Sequence, residues 1–322
     1  MFAIAALHQS TRRTATDSPR QPFVTHFLHP IALMPAKPPR VAIVTMAYNE
    51  HWKLPIWCRH YARQCPDATR IVVDHGSTDG STSRLHGVTV LPLDRSPFDE
   101  RRRADFLAQL QCGLLQSHDV VVVTDTDEML VADPAKYKSL TQWFASMDAD
   151  VIAPVGLHLF HRIAEEPDLE PARPILGQRR YVWFGAGMCK PTIARVPLRW
   201  DLGFHCADRL PAYRSDLYLF HLATADLGLS TERLRVTRSM NWAEATLAIG
   251  AGAHQRQSDE AHRRDNFERP EAIIRMNGLG DFSFRHDLAR LTSGIRLVDG
   301  FYQPAYFRGS IARIPERFAN LI

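Results

Sequence analysis

Short apolar runs alternate with helical patterns over the first 125 residues, and this alternation constrains the fold more than any other feature of the chain. Four runs are rich in β-branched residues, at 41–46, 70–74, 88–93 and 119–124. Continuous apolar runs of this length are typical of strands that are buried on both faces. Strands separated by helices form β-α-β units, so we expect an α/β fold with a mainly parallel sheet flanked by helices.

The segments between the first strands have helical patterns. Leu54, Trp57 and Tyr61 form one apolar stripe within 51–64, which predicts an amphipathic helix. A second helix is predicted to begin within 96–99, where a serine precedes a proline at the first helical position.

Composition excludes several classes of protein. The 322 residues are 45% hydrophobic and 23% charged, as in globular proteins. The 39 basic and 35 acidic residues nearly balance, which argues against a nucleic-acid partner, because such proteins carry clustered basic charge. Five cysteines without a C-x-x-C pair are typical of reduced thiols, and no apolar run approaches the roughly 18 residues of a membrane span. We therefore expect a cytoplasmic protein without a transmembrane segment, with contact to the inner face of the membrane as an open alternative.

Polar residues follow three of the predicted strands. They are the segment 48–50, Asp74 with Asp79, and the Asp125-x-Asp127 pair. In parallel sheets, ligands bind beyond the carboxyl ends of the strands. Two neighbouring carboxylates repel and raise each other's pKa unless a cation lies between them, and oxygen ligands suit Mg²⁺ or Mn²⁺. The alternatives are a solvated acidic turn at 125–127 and an ordinary Asx/Gly turn at 74–80.

In combination, these strand ends resemble the family 2-like glycosyltransferases of the GT-A fold. The matching motifs are Ala47-Tyr-Asn-Glu50, Val73-Asp-His-Gly-Ser-Thr-Asp-Gly80 and Val123-Thr-Asp-Thr-Asp-Glu-Met-Leu130. The resemblance covers about residues 40 to 230. It implies a metal-dependent hexosyltransferase-type enzyme with a GT-A, Rossmann-like sheet and a nucleotide-diphosphate donor, a UDP-sugar above all. The acceptor would be a saccharide or another hydroxyl compound, and the reaction would invert the anomeric carbon.

The resemblance also implies roles for individual residues. The nucleotide-sugar would contact Ala47, Tyr48, Asn49, Glu50, Asp74, Asp79, Arg103 and Asp125. The Mn²⁺ or Mg²⁺ ion would be bound by Asp125, Asp127 and His221. His205 is the competing histidine, and either histidine is alternatively a residue of the core.

The chain departs from the family pattern at the catalytic base. No late Glu-Asp pair occurs between residues 157 and 226, so the base is unassigned. Asp201, Asp208 and Asp226 are candidates by position only, and Glu166 lies in a proline-rich loop that could approach an acceptor. The segment 183–187 with Trp200 is either an acceptor wall or core packing.

The domain prediction follows from these patterns. We expect a disordered leader at 1–38, a GT-A glycosyltransferase domain at 39–245 and a mostly helical or irregular extension at 246–322. Phe318 and Leu321 lie on one face of the last segment, which would either contact a membrane surface or pack on its own domain.

Two other functions remain open from the sequence. One is a catalytically inactive protein of the same fold that binds nucleotides or carbohydrates. The other is a nucleotidyltransferase, although its usual glycine-rich basic loop is replaced here by Ala-Tyr-Asn-Glu. A dinucleotide-binding oxidoreductase is excluded, because the same loop has no G-x-G-x-x-G.

Overall fold

A computed structural model describes residues 38–322 of the chain. The predicted leader at 1–38 therefore lies outside the described residues, apart from its last position. The described residues form one compact unit.

The secondary structure contains strands and helices throughout the described residues. The strands are β1 (Val41–Ala47), β2 (Thr69–Asp74), β3 (Thr89–Pro92), β4 (Val120–Val123), β5 (Glu128–Ala132), β6 (Val151–Phe160), β7 (Tyr181–Gly185), β8 (Ile193–Ala194), β9 (Ala212–Thr224), β10 (Arg296–Val298), β11 (Phe301–Gln303) and β12 (Arg308–Arg313). The helices are α1 (Lys53–Gln64), α2 (Glu100–Leu114), α3 (Leu140–Ala145), α4 (Ile175–Gln178), α5 (Leu227–Ser239), α6 (Glu244–Ala248), α7 (Asp259–Arg263), α8 (Arg269–Asn277) and α9 (Arg285–Ser293).

Ten strands form one mixed sheet, and its first four strands are parallel. The order is β12-β7-β6-β8-β4-β1-β2-β3, and β9 pairs with both β5 and β6. The pairs β1–β2, β1–β4 and β2–β3 are all parallel. The prediction of an α/β fold with a mainly parallel core sheet flanked by helices is confirmed.

The parallel register brings the predicted strand ends to one edge of the sheet. Ala47 lies opposite Asp74, and Val44 lies opposite Val123. The backbone N–H of Thr124 then donates to the carbonyl of Val44, 3.1 Å away. The polar residues after β1, β2 and β4 therefore follow strands that end at the same side of the molecule.

The first helix follows its predicted pattern, but the second begins later than predicted. Leu54, Trp57 and Tyr61 are completely buried in the core. At the second helix, Asp99 is the N-cap, because its carboxylate accepts from the backbone N–H groups of Arg101 and Arg102. Phe98 is not helical, since its N–H donates to the carbonyl of Asn241.

The segment 246–322 consists mainly of helices and irregular segments. It contains three strands as well as helices, and β12 pairs antiparallel with β7 in the main sheet. Phe318 is fully buried and packs against Phe220 and Tyr218 of β9. The C-terminal segment thus contributes to the same core as the predicted main domain.

No helix in residues 38–322 is long and apolar enough to cross a membrane.

Candidate active site

A cavity of about 580 Å³ lies beside the loops that follow β1 and β4. Several residues that the resemblance assigns to the site contribute to its wall, namely Ala47, Tyr48, Glu50, Arg103, Asp125, Asp127 and His221. Asn49, Asp74 and Asp79 are absent from the wall. Segments later in the chain complete the cavity, with His158, Lys190, Arg233, His254, His262 and Arg308 among the lining residues.

Asp127 is held between a lysine and a histidine. Its Oδ2 accepts from Lys53 Nζ at 2.6 Å, and its Oδ1 lies 3.6 Å from His221 Nε2. The antiparallel register of β5 and β9 places Glu128, the next residue, directly opposite His221. Burial alone would raise the pKa of Asp127, but the Lys53 ammonium and His221 hold it well below its usual range. Asp127 is therefore a carboxylate at neutral pH.

His221 is oriented by a second histidine on the neighbouring strand. His158 lies opposite His221 in the parallel β6–β9 register, and their Nδ1 atoms are 3.0 Å apart. Burial, followed by the charge of His221, lowers the pKa of His158 well below its ordinary value. His158 is neutral, so one proton forms the hydrogen bond between the two Nδ1 atoms. This bond orients the His221 ring with its Nε2 toward Asp127.

Asp125 is paired with cations at both oxygens. Arg103 of α2 contacts Oδ1, and Lys190 Nζ donates to Oδ2 at 3.1 Å. Lys190 also donates to Glu128 Oε1 at 2.6 Å. Burial would raise the pKa of Asp125, but Arg103 and Lys190 hold it below its usual range. Burial would likewise lower the pKa of Lys190, but Glu128 and Asp125 raise it.

These contacts determine which residues fit a divalent cation. Both oxygens of Asp125 accept hydrogen bonds from cationic side chains, which neutralise its charge and weaken it as a metal ligand. Asp127 Oδ1 and His221 Nε2 remain, and their 3.6 Å separation is near the roughly 3 Å expected between two ligands of one small octahedral ion. Asp127 and His221 therefore fit a metal that takes its other ligands from phosphate and water.

The cavity wall also includes a stacked aromatic ring and a buried carboxylate. The guanidinium of Arg95 lies 3.6 Å from the ring centre of Tyr48. Arg233 binds Glu50 Oε1 at 2.9 Å and also donates to the carbonyls of Tyr48 and Asn49. Glu50 Oε2 is buried and makes no hydrogen bond with the described residues. Tyr48 thus contributes an aromatic ring to the wall, and Glu50 contributes an oxygen that accepts no hydrogen bond from the described residues.

Asn49, Asp74 and Asp79 stabilise the loop after β2 instead of lining the cavity. Asn49 Oδ1 accepts from the N–H groups of Thr78 and Asp79, and its φ of 52° turns the backbone toward that loop. Asp74 accepts from the backbone of Ser77 at 2.8 Å and from a threonine hydroxyl of the same loop at 2.6 Å. Asp79 accepts from the loop backbone at 2.9 Å. The nucleotide contacts that the resemblance implies for these three have no support in this geometry.

The three aspartates that were candidates for the base are engaged elsewhere. Asp201 pairs with Arg101 at 2.5 Å, and Asp208 pairs with Arg199 at 3.1 Å. Asp226 caps α5 through the backbone N–H of residue 229 and also accepts from a buried arginine, residue 179, at 3.0 Å. None of the three contributes to the wall of the cavity. Their positions therefore favour structural roles.

Other predicted residues also have structural contacts. Glu166 is 9% exposed and accepts from the backbone N–H groups of Arg162 and Arg180.

Among the described residues, one group of three possible metal ligands is held close together, namely His161, Asp168 and Asp226. It is outside the cavity wall, and an arginine already neutralises Asp226. Trp183 and Trp200 are each 2% exposed and belong to the core.

Sequence reasoning missed Lys53, Lys190 and the contribution of residues 254–308. Lys53 follows the Ala47–Glu50 motif by three residues, and this spacing is the only signal that could have pointed to it. Lys190 and His254 lie in segments without a motif. Arg308 begins a strand whose pairing with β7 spans more than 120 residues of sequence.

Part of this chain is similar to parts of solved protein structures. No protein-family model matches the chain, and no curated protein matches it. A mannosyltransferase from Pyrobaculum calidifontis, solved with GDP-Man and Mn²⁺, is 19% identical over 40% of this chain and 37% of its own, with a TM-score of 0.27. Glucosyl-3-phosphoglycerate synthase from Mycobacterium tuberculosis, solved with Mn²⁺, UDP and glucosyl-3-phosphoglycerate, is 19% identical over 37% of this chain and 44% of its own, with a TM-score of 0.28. The chain thus spans less than half of the length of either structure.

Proposed function

We propose that this chain is a glycosyltransferase that moves a sugar from a nucleotide-diphosphate donor, a UDP-sugar, to a hydroxyl acceptor. The observation that carries the proposal is the pairing of Asp127 with His221 in the same cavity as Tyr48 and Glu50. Asp127 and His221 would therefore hold a metal-bound diphosphate, and Tyr48 and Glu50 would contact the nucleoside. Mn²⁺ or Mg²⁺ is the proposed cofactor.

The protein's own residues would each have a defined task. Asp127 and His221 would hold the metal, which when bound supplies positive charge against the leaving diphosphate. Arg103 and Lys190 keep Asp125 ionised and give the cavity wall fixed positive charge. Tyr48 would pack against the nucleoside, while Glu50 Oε2 would accept a hydrogen bond from it. A direct displacement by the acceptor hydroxyl would invert the anomeric carbon.

Nucleotide binding tests the proposal directly. We expect UDP with Mn²⁺ to raise the melting temperature more than UDP with EDTA, or than GDP, ADP or CDP with Mn²⁺. At 100 times the dissociation constant, a ligand that binds only the folded state stabilises it by about 2.7 kcal/mol. A screen without any nucleotide-dependent shift would contradict the proposed function. Metal-dependent binding without release of UDP from UDP-sugars would instead identify a catalytically inactive protein.

The base in this proposal is His254, which lines the cavity. Among the described residues, no side chain or backbone group makes a hydrogen bond with its ring. His254 is exposed at the cavity, and partial desolvation there, followed by the positive charges of Lys190 and Arg256, lowers the pKa of His254 below its ordinary value. Its imidazole is therefore neutral at pH 7 and able to accept the proton of an acceptor hydroxyl.

Replacing His254 by Ala should reduce sugar transfer by roughly 10² to 10⁴-fold, the usual contribution of a general base. Nucleotide binding should be preserved. Transfer by the unmodified protein should fall as the pH drops through the pKa of His254, because protonation removes the base, and this acid limb should be missing in the variant. His286→Ala, at an exposed histidine of α9, is the control. Unchanged transfer in the His254 variant would exclude this residue as the base.

A further inference from the structure

A second cavity of about 490 Å³ adjoins the proposed donor site. It shares His158, Gly187, His205 and Arg308 with the first cavity, so the two lie side by side. Its wall also includes Gly185, Tyr306 and Phe307. The lining thus combines one guanidinium, two imidazoles and two aromatic rings, without a carboxylate.

Arg308 is held in place by contacts that leave its charge unpaired. Its guanidinium carbon lies 4.0 Å from the ring centre of the buried Trp183, and its Nη1 donates to the backbone carbonyl of Asp265 at 3.0 Å. No carboxylate of the described residues lies within ion-pair distance of Arg308, since the Asp265 carboxylate pairs with Arg264. The Nε and Nη2 atoms of Arg308 donate no hydrogen bond to the described residues. A stacked arginine with two free donors fits a carboxylate or phosphate group.

A glycine in β7 leaves space beside Arg308. Gly185 lies opposite Arg308 in the β7–β12 register, and a Cβ at Gly185 would come within 2.6 Å of the His158 ring. A side chain at that position would therefore displace the ring. Tyr306 is 57% exposed and lies edge-on to His205, with ring centres 5.9 Å apart. Exposed aromatic rings of this kind provide an apolar surface for the carbon–hydrogen face of a sugar.

We propose that the second cavity binds an anionic saccharide, with its carboxylate or phosphate ester on Arg308 and its ring beside Tyr306. Because His158 lines both cavities and contacts His221, we assign this saccharide as the acceptor. The assignment as acceptor rests on the proposed glycosyltransferase function, whereas the binding of an anionic sugar does not.

Binding of matched sugars tests the proposal. The probes are methyl glycosides of glucose, galactose and mannose, the corresponding methyl uronides, and the corresponding 6-phosphates, each titrated by NMR into the protein with UDP and Mn²⁺. We expect at least one anionic sugar to bind about tenfold or more tightly than its neutral counterpart, the effect of a charge-assisted hydrogen bond. Preference for uronides or for phosphates would identify the anionic group. Equal binding of charged and neutral sugars, or no binding of any anionic sugar, would overturn the proposal.

Two variants locate the effect. Arg308→Gln should remove the preference for the anionic sugar, and Arg308→Lys should retain part of it, because the charge remains but the forked donor is lost. Arg313→Gln, at an exposed arginine of the same strand, should behave as the unmodified protein. Retention of the full preference in Arg308→Gln would refute the assignment to this cavity. Melting temperatures of all three variants verify that the fold is intact.

The two proposals fail in different ways. If UDP binds with Mn²⁺ but anionic and neutral sugars bind equally, only the anionic acceptor is wrong. If no nucleotide binds but an anionic sugar binds through Arg308, the donor site is wrong and the anion-binding cavity stands.

Discussion

Asp127→Asn should abolish sugar transfer and the metal-dependent part of nucleotide binding together. The change removes the negative charge that Oδ1 presents beside His221, so the divalent cation loses its carboxylate ligand. The stabilisation of a leaving diphosphate by a metal is worth several kcal/mol, which corresponds to a rate loss of roughly a thousandfold. The measurements are UDP release from UDP-sugar and the Mn²⁺-dependent thermal shift with UDP.

The control for this prediction must separate metal binding from folding. Lys53 is 5% exposed at its side chain and would lose its partner in Asp127→Asn, so the melting temperature of the variant is measured without ligands. Asp105→Asn removes an exposed carboxylate from α2 and should leave turnover unchanged. A folded Asp127→Asn protein that retains metal-dependent turnover would show that another group binds the metal.

Lys190→Met should cost the fold about 3–5 kcal/mol, the usual effect of removing one partner from a buried ion pair. Lys190 is 5% exposed and neutralises both Asp125 and Glu128, of which Glu128 is 1% exposed. Without the ammonium, the two carboxylates repel each other in a buried site. Urea denaturation of the variant and the unmodified protein measures the difference in the free energy of unfolding.

The pH dependence of this difference provides a second test. In the unmodified protein the pKa of Asp125 is depressed, so its contribution to stability is present above the ordinary value of 3.8 and is lost as the pH falls below it. In Lys190→Met, Asp125 keeps Arg103 but Glu128 loses its cation, and burial already raises the pKa of Glu128, so this carboxylate is destabilising while ionised and protonation relieves it. The destabilisation should therefore be larger at pH 7 than at pH 4. Lys136→Met, at an exposed lysine, is the control, and a cost below about 1 kcal/mol for Lys190→Met would contradict the buried network.

The pattern of apolar and polar residues along the chain is sufficient to predict the strands that carry the site. The apolar runs predict β1 to β4 because a strand buried between helices must be apolar along its whole length. The polar residues that end these runs then lie at one edge, since the strands are parallel. Asp127 follows the fourth run, whereas His221 is assigned by the family resemblance, and the structure places their nearest side-chain atoms 3.6 Å apart.

Contacts that the sequence motifs do not specify determine what each side chain at these strand ends does. Asn49, Asp74 and Asp79 carry the family-like motif, but their oxygens accept hydrogen bonds from the loop after β2, which for Asp74 and Asp79 is their own loop. Whether a strand-end carboxylate faces a cavity or a loop depends on backbone dihedral angles that short motifs do not specify. The α2 helix likewise begins at its Asp99 cap because the residues before it pair with residue 241 instead.

The sequence by itself determined a parallel sheet with acidic strand ends, because hydrophobic periodicity and chain order suffice for β-α-β units. Only the tertiary structure decided which charges meet there. Lys53, Lys190 and Arg308 come from α1, from the segment after β7 and from β12, and each reaches the cavity through pairings that are distant in sequence. Ion pairing acts over a few ångströms in space, and separation along the chain carries no information about it.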